Sequence, residues 1–203
     1  NDKILLGTDG AGLIVLDSTL RFVHRYASNE NIPNSLSYNA IYDLFIDKDK
    51  RLWISTVGGG VNVFDPNDKA FTIIRHVRNN PNSLNSNMGR SILEDSRGNL
   101  WFGTEDGISI LNRKTNIFKH IGFETGSQND LSSKSVLTLM KDNEDHIWAG
   151  TFSGGIDIYN ESAVKIKTLR FDSLNNNSLS TDYIYALYLD NAGDIWAGGI
   201  RGG

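Results

Sequence analysis

Four tryptophans set the terms on which this chain can fold. Trp53, Trp101, Trp148 and Trp196 recur at a nearly constant spacing, and Leu5 holds the equivalent place one period before the first. The text around them repeats too: "RLWISTVGGGVNVFD" from Arg51, "NLWFGTEDGISILN" from Asn99, "HIWAGTFSGGIDIYN" from His146, "DIWAGGIRGG" from Asp194 and a worn "KILLGTDGAGLIVLD" from Lys3. A second landmark keeps the same register. Leu36, Leu84, Leu131 and Leu179, each inside an Asn/Ser-rich stretch, all precede their tryptophan by one identical interval. A period of about 48 residues is long for a solenoid and normal for a propeller blade.

Within each unit the apolar residues come in short runs rich in Val, Ile, Phe, Tyr and Trp, bounded by Gly, Asn, Asp or Ser, which is the punctuation of strands. Four strands fit. In the second unit they read "AIYDLFID" (Ala40 to Asp47), "RLWIST" (Arg51 to Thr56), "GVNVFD" (Gly60 to Asp65) and "AFTIIRHV" (Ala70 to Val77). The expected fold is therefore an all-β β-propeller with four-stranded antiparallel blades of about 48 residues, here an incomplete arc of about four to five blades. The repeats divide the chain at approximately 1–26 (a partial blade), 27–77, 78–121, 122–171 and 172–203 (a partial blade). The first copy supplies strands two to four and the last supplies strands one and two, so closure of a four-bladed ring is awkward. The partners expected on that ground are remaining blades of the same parent chain or a second copy.

Composition narrows the function classes. The formal charge of -4 is spread without a run of five like charges, so no basic stripe tracks a phosphate backbone, and no nucleic acid is expected as a partner. There is no cysteine, which removes disulfides, thiolate metal sites and a cysteine nucleophile. No apolar run approaches the length of a membrane helix and the first residues lack a signal-peptide pattern, so this segment is expected to make no membrane contact.

Several motifs invite chemical readings. The turns "DKDK", "DSRG", "DNED" and "DNAG" begin at Asp47, Asp95, Asp142 and Asp190. An Asp opening a type I turn accepts nearby backbone N–H groups, so all four are read as structural. Glycines after strand two suggest a phosphate loop, but they join two strands and no helix follows, so hairpin residues with positive φ are the better reading. The tryptophans are read as fillers between neighbouring blades rather than as a stacking platform. Strand four carries His24, Arg75, His76, His120 and Arg170, which would guard an outer edge. Copies of one strand are carried outward on different blades, so no metal site is expected; no cofactor and no catalytic residue is expected either.

The run "DSRGNLWFGTEDG" at Asp95 to Gly107, followed by "ISILN" and preceded by "NSL" at Asn82 to Leu84, resembles the two-component regulator propeller repeat. The resemblance covers nearly the whole chain. It departs at Ser55 in place of Gly, Leu5 in place of Trp and Gly199 in place of Thr. It implies a periplasmic sensor region of a hybrid two-component system, with no chemistry of its own, an oligosaccharide ligand and a histidine kinase elsewhere in the protein. The alternatives are a propeller scaffold for protein–protein interaction, or a propeller enzyme such as a sialidase-like glycosidase or a lyase. "SRGNLW" lacks the Asp of the sialidase turn.

A ligand is expected at the loops joining strand four to the next strand one. They are long and polar: Ala27 to Ala40, Arg78 to Gly89, Phe123 to Ser135 and Asp172 to Tyr183. Where each enters strand one the copies diverge, with Asn39, Asn87, Lys134 and Asp182 in one slot and Tyr42, Arg90, Leu137 and Tyr185 in another. Rings that stack on sugars beside amides and charges that bond hydroxyls make Asn39, Tyr42, Asn87, Arg90, Lys134, Asp182 and Tyr185 the candidate ligand-binding residues. Arg90 and Lys134 would matter most for an acidic ligand.

Overall fold

The computed structural model describes residues 3–65 and 70–200, and the Arg-Gly-Gly that closes the last copy lies outside them. Among the described residues every regular element is a strand, and every sheet is antiparallel with sequential strand order. The chain divides into two compact units, Asn1–Arg90 and Ser91–Gly203.

The first unit holds a three-stranded sheet of β1 (Lys3–Gly7), β2 (Leu13–Asp17) and β3 (Phe22–Tyr26), and a four-stranded sheet of β4 (Ile41–Ile46), β5 (Leu52–Thr56), β6 (Val61–Asp65) and β7 (Ala70–Ile74). Leu13, Leu36, Leu52, Ile54 and Phe71 form its buried cluster, with Leu5, Tyr26, Ile41, Leu44 and Phe64 against it. A further four-stranded sheet consists of β8 (Gly89–Glu94), which spans the unit boundary, β9 (Leu100–Thr104), β10 (Gly107–Asn112) and β11 (Ile117–Ile121). The second unit continues with β12 (Val136–Lys141), β13 (Ile147–Thr151), β14 (Ile156–Tyr159) and β15 (Lys165–Leu169), then a two-stranded sheet of β16 (Ile184–Leu189) and β17 (Ile195–Gly199). There Trp101, Ile108, Leu131, Val136, Ile147 and Tyr159 share one buried cluster.

The residue pattern explains which strand goes where. The second strand of a blade lies inside its sheet with both faces covered, so β5 and β9 are buried at every position and read as unbroken runs, "LWIST" and "LWFGT". The fourth strand lies at an edge, so β7 and β11 are partly exposed.

Each turn from strand one to strand two is built around its aspartate. In Asp95, one carboxylate oxygen accepts the N–H groups of Arg97 and Asn99, and the other accepts the indole N–H of Trp101 at 3.0 Å. Asp47 with Trp53, Asp142 with Trp148 and Asp190 with Trp196 repeat the indole bond at 2.8, 2.8 and 2.9 Å. The fourth turn position has positive φ, occupied by Gly98 and Gly193 in two copies and by Lys50 and Asp145 in the others. The aspartates and tryptophans, read separately as structural, are one device: a turn carboxylate that satisfies the one polar atom of a large aromatic side chain.

The departure at Ser55 has a compensation three strands on. A Cβ on Gly7 would lie 2.7 Å from Ile41, and one on Gly150 would lie 2.7 Å from Ile184, so the small residue of strand two seats a β-branched residue of the next strand one. Ser55 stands where those glycines stand, and its partner place is held by Gly89, whose absent Cβ would collide with the Ser55 hydroxyl. The small and the larger residue have changed sides.

Candidate functional site

The long loops and the hairpins between strands two and three meet at the same end of each blade. The Asn39 carbonyl accepts the N–H groups of Gly10 and Gly12, and the Asn87 carbonyl those of Gly58 and Gly60. The Lys134 carbonyl takes Gly107, and that of Asp182 takes Gly155. Each loop is further pinned by its leucine. Leu36, Leu84 and Leu131 are buried, and Leu179 packs beside Ile156 and Ile184. The serine before that leucine ties the loop ends together in three copies, since Ser35, Ser83 and Ser178 accept the N–H groups of Asn29, Val77 and Asp172.

The first variable slot does structural work in three of its four copies. Asn39, Asn87 and Asp182 each accept, through a side-chain oxygen, the N–H of the residue 11 places earlier: Ser28, His76 and Phe171, at 2.7, 2.7 and 2.8 Å. Asp182 also holds Arg170 at 2.9 Å. Lys134 has no acceptor to offer in this role and instead pairs with Asp106 at 3.0 Å.

The second slot has a different geometry. The pairing of strand one with strand two skips a residue between Ile41 and Asp43, between Val136 and Thr138 and between Ile184 and Ala186. Tyr42, Leu137 and Tyr185 are therefore bulged residues, and a bulge re-aims the side chain it carries. Tyr42 and Tyr185 are both exposed. In the first unit the structure brings two candidates together, with the Arg90 guanidinium 4.0 Å above the Tyr42 ring. In the second unit the slot holds Leu137 and Tyr185, on strands β12 and β16 that lie against one another.

Sequence reasoning passed over several residues at these loop ends. Asn62 is fully buried and clamps Ser37 through both amide atoms. Asp157, at the same place in its blade, is also fully buried, and it accepts from the Ser132 N–H and hydroxyl and from Thr168, with Lys165 at 3.1 Å. Nearby, burial and the charges of Asp157 and Asp130 push the Tyr159 hydroxyl pKa up, so it stays protonated and donates to the Asn129 carbonyl. The signal for this position was a polar residue in an otherwise apolar strand three. The basic residues of strand four are loop fasteners more than edge guards: Arg75 donates to the Gly59 carbonyl, His76 Nδ1 lies 2.7 Å from the Leu84 carbonyl, and Arg170 reaches both Asp182 and the Ser153 carbonyl.

Grooves also run between neighbouring blades at the opposite, turn end. One of about 360 Å³ is lined by Leu5, Val15, His24, Tyr26 and Lys50, and its positional counterpart of about 470 Å³ by Trp148, Ile158, Lys167, Leu169 and Gly193. Recurrence at equivalent positions marks them as products of blade packing. Among the described residues no group of three or more His, Asp or Glu is placed to hold a metal ion, and no helix is long and apolar enough to cross a membrane.

The family model for the two component regulator propeller matches residues 35–58, 82–106 and 178–201, each running from the leucine loop through strand two. Those three segments are similar to two-component regulator propeller repeats. The chain is 31% identical over 123 residues to a histidine kinase of Formosa agariphila, covering 59% of this chain and 9% of the kinase. Its fold matches the extracellular domain of a protein assigned to the hybrid two component systems of B. thetaiotaomicron, at a TM-score of 0.79 and 24% identity, over 98% of this chain and 25% of that one. A virginiamycin B lyase of Staphylococcus aureus shares the propeller fold at a TM-score of 0.64 and 11% identity, over 94% of this chain and 57% of the lyase. The chain thus spans a small part of the kinase and a quarter of the two-component ectodomain.

Proposed function

We propose that these repeats form part of the ligand-sensing propeller of a hybrid two-component signalling protein, which binds an oligosaccharide outside the cytoplasm, in the periplasm, without turning it over and relays binding to a histidine kinase. The observation that carries the reading is the bulged slot at the loop end of strand one. The frame around it repeats, yet its side chain changes from Tyr42 to Leu137 to Tyr185, with Arg90 in the corresponding place. A repeated scaffold with one re-aimed, changing side chain per blade is how a recognition surface is built on a repeat protein. The carboxylates at these loop ends support binding over catalysis, because Asp182, Asp157 and Glu105 are engaged by the chain's own donors.

Calorimetry against an oligosaccharide panel, coupled to product analysis, tests both halves. The expected result is saturable binding of an oligosaccharide that is recovered intact. Product in molar excess over protein would replace this reading with an enzyme, and failure of every oligosaccharide would replace it with the interaction scaffold.

A further inference from the structure

One pair of positions at the loop end is filled in one blade by chemistry that the frame does not require. The residue opening the hairpin between strands two and three faces the residue entering the next strand one. In successive blades this pair is Asp9 with Ala40 and Val57 with Met88, each joined by a backbone bridge, and then Glu105 with Ser135, joined by a 2.8 Å hydrogen bond. In the next blade it is Phe152 with Tyr183, two rings packed edge to face at 5.4 Å and 86°. They are 47% and 39% exposed, although pairs without an aromatic ring serve the same place elsewhere.

We infer that Phe152 and Tyr183 form an aromatic platform on which one ring of a neutral pyranose oligosaccharide stacks, an inference that rests on the oligosaccharide-sensing reading above. Perpendicular rings present a face and an edge at a fixed angle, which suits the apolar C–H face of a sugar ring. Their backbones are held before any ligand arrives. The Phe152 N–H donates to the Ser135 carbonyl at 3.0 Å, and Tyr183 receives the Ile200 N–H at its carbonyl while its own N–H is taken by the Thr181 hydroxyl. Polar groups flank the rings. Ser153 is exposed with its hydroxyl 3.2 Å from that of Ser133, and its carbonyl accepts from Arg170. Arg170 and Asp182 neutralise one another at 2.9 Å, so this rim carries hydrogen-bonding groups without net charge and favours hydroxyls over a carboxylate.

The test is titration calorimetry of the protein with neutral gluco-, manno-, galacto- and xylo-oligosaccharides of four to six units, and with uronic-acid oligosaccharides of the same lengths. The expected result is binding of a neutral member, weakened tenfold or more by Phe152→Ala and by Tyr183→Ala, and kept within threefold by Phe152→Tyr and Tyr183→Phe. Circular dichroism and melting curves matching the parent identify variants that have kept the fold. Neutral-sugar binding that survives both alanine variants overturns the platform and leaves the sensing reading standing. Binding confined to the uronic-acid oligosaccharides overturns the neutral specificity. Binding of no oligosaccharide at all overturns the sensing reading and the platform with it.

Discussion

At the scale of single residues, the turn aspartates give the sharpest predictions because the same bond occurs at different depths. Trp101 is 0% exposed and Asp95 is 4% exposed, so Asp95→Ala strands a buried indole N–H and two turn N–H groups. The expected loss is about 1–3 kcal/mol in urea unfolding. Asp190→Ala, whose Trp196 is 63% exposed, is expected to cost distinctly less, since water replaces the lost acceptor. Asp142 adds a pH dependence. Burial pushes its pKa up, but the bonds from Trp148, from the His146 and Glu144 N–H groups and from the His146 ring outweigh that and hold it below the ordinary 3.8. A depressed folded-state pKa means that the stabilisation is fully present above the unfolded value and is lost as the pH falls through the folded one. Asp142→Asn is therefore expected to lower stability at neutral pH and to flatten the acid limb of a urea-midpoint profile below about pH 4. An acid limb unchanged by the substitution would remove Asp142 from the account.

Between strands, the exchange of small and larger residues at Ser55 and Gly89 predicts a coupling. Gly89→Val alone drives a side chain into the Ser55 hydroxyl, and Ser55→Gly alone leaves a void between β5 and β8. Made together they recreate the Gly7 and Ile41 arrangement, so the double variant is expected to be more stable than the sum of the singles by about 0.5–3 kcal/mol. Additive single-variant costs in a urea-based double-mutant cycle would show that the two places do not touch. Much of this element-level detail was legible in outline. The period, the leucine landmark and the Asp turn set strand order and register, because each is a local requirement that recurs with the repeat. What stayed hidden depends on pairs distant in sequence: the Asp-to-Trp bond, the swap at Ser55, the capping role of Asn39, Asn87 and Asp182, and the bulge that turns Tyr42 and Tyr185 outward. Phe152 and Tyr183 were hidden for the same reason, since only the fold makes neighbours of a hairpin and a strand entered well beyond it in the chain.

For the molecule as a whole, the repeat states which surfaces of a blade want another blade. Trp101 and Trp53 are 0% and 3% exposed, whereas Trp196 on β17 is 63% exposed and Tyr188 on β16 is 62% exposed. On β1, Ile4 and Leu6 are 37% and 42% exposed, while their counterparts Leu52 and Ile54 on β5 are 7% and 0% exposed. One kind of blade face is thus uncovered at the two-stranded sheet and the complementary kind at the three-stranded sheet. Uncovered apolar faces of this type drive association, and a front face meeting a back face is a heterologous contact, which propagates rather than stopping at a symmetric pair. This chain, made by itself, is expected to self-associate head to tail with rising concentration, and tryptophan emission should shift to the blue as Trp196 is covered. Trp196→Ser and Leu6→Ser, separately, should each weaken the association, because they act on opposite sides of the same contact, and mixing them should restore one-to-one pairs, through the intact Trp196 face of one variant and the intact Leu6 face of the other, but not longer assemblies. Size-exclusion chromatography with light scattering reads the outcome directly. A monomer of the sequence mass across the micromolar range, with unshifted Trp196 emission, would show that these faces are content in water and that the repeat frame does not extend its packing rule to them.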